Sequence, residues 1–288
     1  MNLRQRLENH LKQIARERDP YLASGGHFLV REYICQQLAQ WGEVEIHEFE
    51  VKGNKYQNLI LNLNSPQNQN LPPILIGAHY DAVPGTPGAD DNATGVAVLL
   101  ELASAFAAKP PAYPIQLVAF DLEECLRFEG ENYCLSGSSA YAEYLHHQKQ
   151  SLRLMLSLEM LGYCDRSKHS QKYPADFLKY FYPDRGDFIA LVGNLKTFLD
   201  LIRLDRQIRK TGTPCRWLVA PNNGHSIQAT RRSDHSPFWD RGYRAMMVTD
   251  TAFLRNPHYH KPSDTIDTLN LDFLTNVCKS LITSIPYL

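Results

Sequence analysis

Three observations predict an α/β fold, a three-layer sandwich with a mixed, mostly parallel central sheet flanked by helices. Apolar strand-like runs alternate with segments of helical period along the chain; three of those runs stop on histidine or carboxylate side chains; and Val44 to Val51 alternates at period two, as an antiparallel edge does. The 288 residues, 43% of them hydrophobic, suffice for one large core. No low-complexity linker or internal repeat divides them, so the expected organisation is a single domain over residues 1–288.

The elements follow in order. Residues 1–17 and 27–41 read as helices, the second with Phe28, Val30, Tyr33, Ile34, Leu38 and Trp41 on its inward face and Gly42 closing it. Val44 to Val51 and Asn58 to Leu63 flank a Gly-Asn turn and predict a hairpin at one edge of the sheet. Leu75-Ile76-Gly77-Ala78 is a strand that stops at His79-Tyr80-Asp81, and a turn-rich stretch then delivers Asp90-Asp91-Asn92-Ala93-Thr94-Gly95. Val96, Leu99, Leu100, Ala103 and Phe106 recur at helical spacing after it, which puts the Asp pair at the mouth of a helix, where free N–H groups favour a carboxylate. Ile115 to Phe120 is a strand ending at Asp121-Leu122-Glu123-Glu124, and Leu152 to Leu158 is one ending at Glu159. Ser136 to Gln150 reads as a helix, Phe188 to Asn194 as a strand, Lys196 to Ile208 as a helix and Ala245 to Thr249 as a strand. The polar loop after that last strand carries Tyr259 and His260. Residues 162–187 and 221–232 are polar, proline-bearing and aperiodic, and such long segments commonly wall a site.

His79, Asp91, Glu124, Glu159 and His260 are all ligand types for a divalent transition metal. Strand ends that gather such side chains along one edge of an open sheet place them where ligands bind. With Glu123 as an additional acid, the set predicts a hydrolytic two-metal site.

Taken singly, each residue has a blander reading. His79 alone is an ordinary strand-end histidine, and Glu123-Glu124 alone a solvated strand terminus. Asp90 is read as a helix N-cap rather than a ligand. Ser233, Asp234, His235 and Ser236 invite a nucleophilic triad, but they lack a strand-to-helix nucleophile elbow and lie within one turn. His146, His147, His169 and His225 are expected in solvent, and His258 lies beside the ligand position. Trp217, Phe238 and Trp239 are read as core, and Phe128, Phe181 and Tyr182 as substrate wall.

A net charge of −1 and a pI near 6.8 give no electrostatic footprint for nucleic acid or an anionic membrane, and a small or neutral substrate fits better. No run approaches the ~20 apolar residues that a membrane span needs, and the N-terminal segment has no apolar leader core, so a cytoplasmic location is expected. In that compartment the six cysteines are expected as reduced thiols, with a Cys125–Cys134 disulfide as the less favoured alternative.

The chain resembles the M28 family of zinc-dependent exopeptidases, typified by bacterial leucyl aminopeptidases. The resemblance is carried, in family order, by Gly77-Ala78-His79-Tyr80-Asp81, Gly88-Ala89-Asp90-Asp91-Asn92-Ala93-Thr94-Gly95, Phe120-Asp121-Leu122-Glu123-Glu124, Ser157-Leu158-Glu159-Met160, Arg232 to Trp239 and Tyr259 to Thr265. It implies the zinc exopeptidase fold and two Zn2+ ions, with Co2+ or Mn2+ as substitutes. His79 and Glu159 would bind the first ion, Glu124 and His260 the second, and Asp91 would bridge them. Many members have Asp where this chain has Glu159. The resemblance further implies that Asp81 orients His79 and precedes a cis Asp81–Ala82 bond. By the same resemblance Glu123 is general base and then acid, and Tyr259 hydrogen-bonds the oxyanion; Arg232 is a candidate to hold a substrate carbonyl or carboxylate. The implied activity is aminopeptidase cleavage of a peptide substrate. Two alternatives are a glutaminyl-cyclase-like single-zinc acyltransferase and a catalytically impaired binding domain of the same fold, the latter prompted by the bulk of Cys125 to Leu135 beside Glu124.

Overall fold

The computed structural model describes the backbone of residues 1–65, 68, 70–124, 126–128 and 131–288, and the side chains of these except 126–128 and 131–133. In chain order the strands are β1 (Val44–Val51), β2 (Asn54–Leu63), β3 (Ile74–His79), β4 (Ile115–Phe120), β5 (Leu126–Phe128), β6 (Glu131–Tyr133), β7 (Leu154–Glu159), β8 (Ile189–Gly193), β9 (Cys215–Val219) and β10 (Ala245–Thr249). The helices are α1 (Leu3–Ile14), α2 (Ser24–Leu38), α3 (Gly95–Ala108), α4 (Ser136–His147), α5 (Phe198–Lys210), α6 (His235–Asp240) and α7 (Leu271–Ser284).

Eight strands form one open sheet in the order β1-β2-β4-β3-β7-β10-β8-β9, and β5 pairs with β6 in a separate ribbon. The centre, β4-β3-β7-β10, is parallel, whereas β1-β2-β4 and β10-β8 are antiparallel. The predicted mixed, mostly parallel sheet with an antiparallel edge is therefore present, and the hairpin turns at Lys52-Gly53.

Alternation along each central strand decides which layer it feeds. Ile74 and Ile76 of β3, Leu154, Leu156 and Leu158 of β7, and Met246 and Val248 of β10 pack into a core shared with α1, α2, α3, α5 and α7. Leu75, Met155, Met247, Val118 and Phe120 face the other side, where Tyr141 and Leu145 of α4 and Phe238 and Trp239 of α6 cover them. Each fully buried aliphatic side chain of this kind contributes about 1.5–3 kcal/mol over its exposed state. After β3 the chain crosses on the α3 face to β4, and after β4 on the α4 face to β7 on the other side of β3. The strand order thus reverses around β3, and the crevice beyond the carboxyl ends of β3, β4 and β7 lies at that reversal.

Two expectations at this level are corrected. The buried face of α2 is His27, Val30, Ile34 and Leu38: the expected Val30, Ile34 and Leu38 are there and Tyr33 packs against the same core, but His27 takes the inward place expected of Phe28. Phe28 is consequently 51% exposed, and Trp41, beyond the end of the helix, is 38% exposed. The Arg31 guanidinium lies over the Phe28 ring at 5.1 Å and shields it in part. The expectation of reduced thiols fails at Cys134, which is disulfide-bonded. Cys35, Cys164, Cys215 and Cys278 are free, and Cys125 lies outside the described residues. Among the described residues no helix is long and apolar enough to cross a membrane.

Candidate metal centre

His79 is the last residue of β3, held with its ring among the ends of β4 and β7 because Tyr80 N–H donates to Phe120 O at 2.9 Å as the chain leaves the sheet. Glu159 ends β7, and Glu123 and Glu124 follow β4 after a turn in which Leu122 takes φ +57°. Asp91 comes from the loop Ala89–Thr94, at φ −102° and ψ 93°, before α3 begins at Gly95. His260 comes from the loop after β10 at φ +55°.

These five side chains converge. Asp91 Oδ1 is 3.3 Å from His79 Nε2, and Asp91 Oδ2 is 3.2 Å from His260 Nε2. His79 Nε2 is 3.6 Å from Glu159 Oε2, and His260 Nε2 is 3.5 Å from Glu124 Oε1. Two donor sets result, His79–Asp91–Glu159 and Asp91–Glu124–His260, each with its ligand atoms within 4.8 Å of one another, and Asp91 belongs to both. Glu123 joins His79 and Glu124 in a third such grouping. The first set is buried, while His260 is 36% exposed on its side chain and opens the second to solvent.

Supporting contacts fix the donors. Asp81 Oδ1 lies 3.4 Å from His79 Nδ1, and the Asp81 carboxylate accepts from the N–H groups of Glu123 at 3.1 Å and Glu124 at 3.0 Å. One acid thus spaces the β3 histidine from both β4 glutamates. Ser233 Oγ donates to Glu159 Oε2 at 2.8 Å, with Ser157 Oγ behind it at 2.7 Å. The Asp264 carboxylate accepts from Asp90 N–H at 3.0 Å and Asp91 N–H at 3.1 Å. Asn92 Nδ2 donates to Leu158 O, while its Oδ1 accepts from Met160 N–H and Gly95 N–H, which ties the loop to β7 and caps α3. Tyr259 stacks on the His260 ring at 3.7 Å between centroids.

The electrostatics match a crowd of anions around few cations. Burial, above all, with Glu159, Asp234 and Asp81 adding to it against the pull of His79, pushes Glu123 well above the ordinary carboxylate range. Burial opposes the protonated form of His79, but Glu123, Glu159, Asp81 and Asp91 outweigh it and raise its pKa. Burial also acts to raise Asp91, yet His260 and His79 hold it below its usual range. Asp234, fully buried, is pushed up to about 7, by burial first and then by Glu159 and Asp81.

Several expectations change here. The cis peptide among the described residues is Asp91–Asn92, not Asp81–Ala82. It stands between a carboxylate aimed at the imidazoles and an amide aimed at β7, whereas at Asp81 the carboxylate reaches its partners without a chain reversal. Asp90 does not cap a helix: its carboxylate accepts from Gly162 N–H at 2.9 Å and Asn256 Nδ2 at 2.7 Å, joining three loops. Asp91 accordingly lies ahead of α3 rather than at its mouth. Ser233 serves Glu159, and His235 Nε2 donates to Thr230 O at 2.8 Å, so no nucleophilic triad forms.

An apolar pocket opens beside the donors, lined by Glu159 and Tyr259 together with Ala190, Met247 and Leu218. Both long aperiodic segments line it, through Tyr173 and Tyr182 from one and Thr230 and Arg232 from the other. The Arg232 guanidinium lies over the Phe253 ring at 4.9 Å. Trp217, read as core, packs partly buried against the main core and also lines this pocket, because β9 is a sheet edge with one open flank. Phe181 is 78% exposed and off the wall, and the Phe128 side chain lies outside the described residues. His146, His147, His169 and His225 are exposed as expected.

Comparison with known proteins agrees with this arrangement. The model for Peptidase family M28 matches residues 58–285. Uncharacterized protein YfbL of Escherichia coli strain K12 is 37% identical over 263 residues, which are 88% of this chain and 77% of YfbL. The solved structure of BSAP, a zinc aminopeptidase from Bacillus subtilis, is similar in fold at TM-score 0.58 and 23% identity, over 81% of this chain and 50% of that one. Tannerella forsythia glutaminyl cyclase is similar in fold at TM-score 0.68 and 19% identity, over 99% of this chain and 97% of that one. The family match, over more than half of its residues, establishes that this chain belongs to peptidase family M28.

Proposed function

We propose that the protein is a zinc-dependent aminopeptidase that removes N-terminal residues from peptides. The observation that carries this reading is the pair of donor sets sharing Asp91, with Glu123 beside them and an apolar pocket alongside. The residues fit divalent cations on chemical grounds. His79 Nε2 is buried and, among the described residues, without a hydrogen-bond partner, although the Asp91 and Glu159 carboxylates lie 3.3 and 3.6 Å away, a spacing that suits a shared cation better than direct bonds. Imidazole and carboxylate donors are those that zinc takes. His79 and Glu159 would hold one ion, Glu124 and His260 the other, and Asp91 both.

Zinc in such a site supplies a water made acidic near neutral pH and polarises a carbonyl. The chain's own groups supply the rest. Glu123 takes the proton from the attacking water and passes it to the departing amine. The Tyr259 hydroxyl donates to the oxyanion of the tetrahedral intermediate. The apolar pocket receives the side chain of the N-terminal residue and excludes water, and Arg232 at its rim holds a carbonyl or carboxylate of the peptide.

The test is a panel of aminoacyl anilides with metal content measured in parallel. The reading requires cleavage of bulky apolar anilides, inhibition by chelators and loss of cleavage when the substrate's amino group is acetylated. One bound zinc with cyclisation of N-terminal glutamine would replace it by the glutaminyl cyclase reading. Bound metal with neither activity would leave a binding domain.

A further inference from the structure

Arg18 lies between α1 and α2, outside the segment that the family model matches, and its side chain is fully buried. A buried guanidinium is costly unless its donors and its charge are both answered. Each hydrogen bond it makes among the described residues goes to a backbone carbonyl. Nε donates to Tyr80 O at 2.8 Å; Nη2 donates to Gly88 O at 2.9 Å and Asp91 O at 3.2 Å; and Nη1 donates to Pro87 O, to Ile14 O at the end of α1 and to Arg16 O just beyond it. No carboxylate is bonded to it directly, and the negative charges that act on it are those of Asp91, Asp81, Asp264 and Glu124. Burial lowers its pKa to about 10 and those four acids work against the fall, so it remains a cation at neutral pH.

The carbonyls it selects are informative. Tyr80 directly follows His79, and Asp91 is the residue common to both donor sets. One rigid planar group therefore spans the backbone on either side of the 3.3 Å contact between His79 and Asp91. The Asp91 backbone is held from both ends, its N–H by Asp264 and its carbonyl by Arg18, which leaves the carboxylate as the part free to face the imidazoles. Gly88 makes room for this fork. A Cβ there would come within 2.9 Å of Arg18 Nη2 and 2.2 Å of Asp91 O, and φ is +53°.

We propose that Arg18 is the positioning residue of the metal centre, a strap from the N-terminal segment that sets the spacing of His79 and Asp91 and supplies the buried positive charge behind the shared carboxylate. The inference rests on the metal reading under Proposed function, and its test separates the two. Wild type, Arg18→Met and Arg18→Lys are compared by zinc affinity in competition with a chromophoric chelator, by the visible absorption of the cobalt(II) protein, and by the melting of the metal-free chain. Methionine keeps the stem and removes charge and fork; lysine keeps the charge but cannot span two carbonyls. Both are expected to bind zinc about 10–100-fold more weakly, the range for loss of a supporting contact, and to change the cobalt spectrum. A variant that folds and matches wild type in affinity and spectrum overturns the inference, and Arg18→Lys decides it if Arg18→Met does not fold. Wild type that binds neither zinc nor cobalt removes the metal reading itself before any variant is compared.

Discussion

Ser233 Oγ donates to Glu159 Oε2 at 2.8 Å, so the acid that ends β7 is aimed by a hydroxyl just ahead of α6. Glu has one more rotatable bond than the Asp common at this position in the family, and the serine removes that extra freedom from the donor. Ser233→Ala should weaken zinc binding by about tenfold or more while leaving the fold intact, the usual cost of losing a contact to a metal-binding side chain. Competition with a chelator reads this directly; an unchanged affinity would show that Glu159 needs no such support.

Glu123 is adjacent to the donor sets yet absent from both that share Asp91. Glu123→Gln preserves shape and removes the proton acceptor, so zinc content should stay at the wild-type level while kcat falls by about 10²–10⁴. Retained turnover would remove Glu123 from the reaction, and lost zinc would make it a ligand instead.

His235 sets a stability dependence on pH that is separate from catalysis. It is fully buried, its ring edge-on to Trp239 at 4.4 Å, and burial lowers its pKa to about 4, which Thr230 O only partly offsets. Between the unfolded value near 6.5 and this folded value, the unfolded chain binds the proton and the native chain does not. Stability is therefore full above pH 6.5 and falls as pH drops toward 4, by about 3 kcal/mol across the window. His235→Gln keeps a donor for Thr230 O without a titrating ring. In urea titrations the difference in unfolding free energy between wild type and variant should shrink toward acid, and a constant difference would refute the assignment.

The parts of this account legible in the sequence were those written in local pattern. β3, β4 and β7 show as apolar runs, and a histidine or carboxylate at the end of a fully buried strand stands out because the sheet gives it no other reason to be there. Contacts between distant segments left no such mark. Arg18 bonds only to carbonyls, which every residue carries, and its partners in the loops that carry the site lie 62 to 73 residues away. β9 was hidden because Arg216 interrupts its apolar run, and the six residues of α6 include Pro237, which masks a helix. Val30, Ile34 and Leu38 of α2 are legible as its inward face, but hydropathy favours Phe28 over His27, whereas His27 Nε2 pairs with Asp121 at 2.8 Å and that bond draws it inward. The cis bond that the resemblance implies after Asp81 follows Asp91 instead, and no residue pattern around either acid marks it.

The central claim is that Asp91 is shared by two cations, one held with His79 and Glu159 and the other with Glu124 and His260. The most direct measurement is zinc per chain after exhaustive dialysis, taken for wild type and His260→Ala alongside peptidase activity. The account predicts two zinc ions in the wild type, and loss of bound zinc together with activity in His260→Ala. A single ion supporting full activity in the wild type, or unchanged zinc content in the variant, would contradict it.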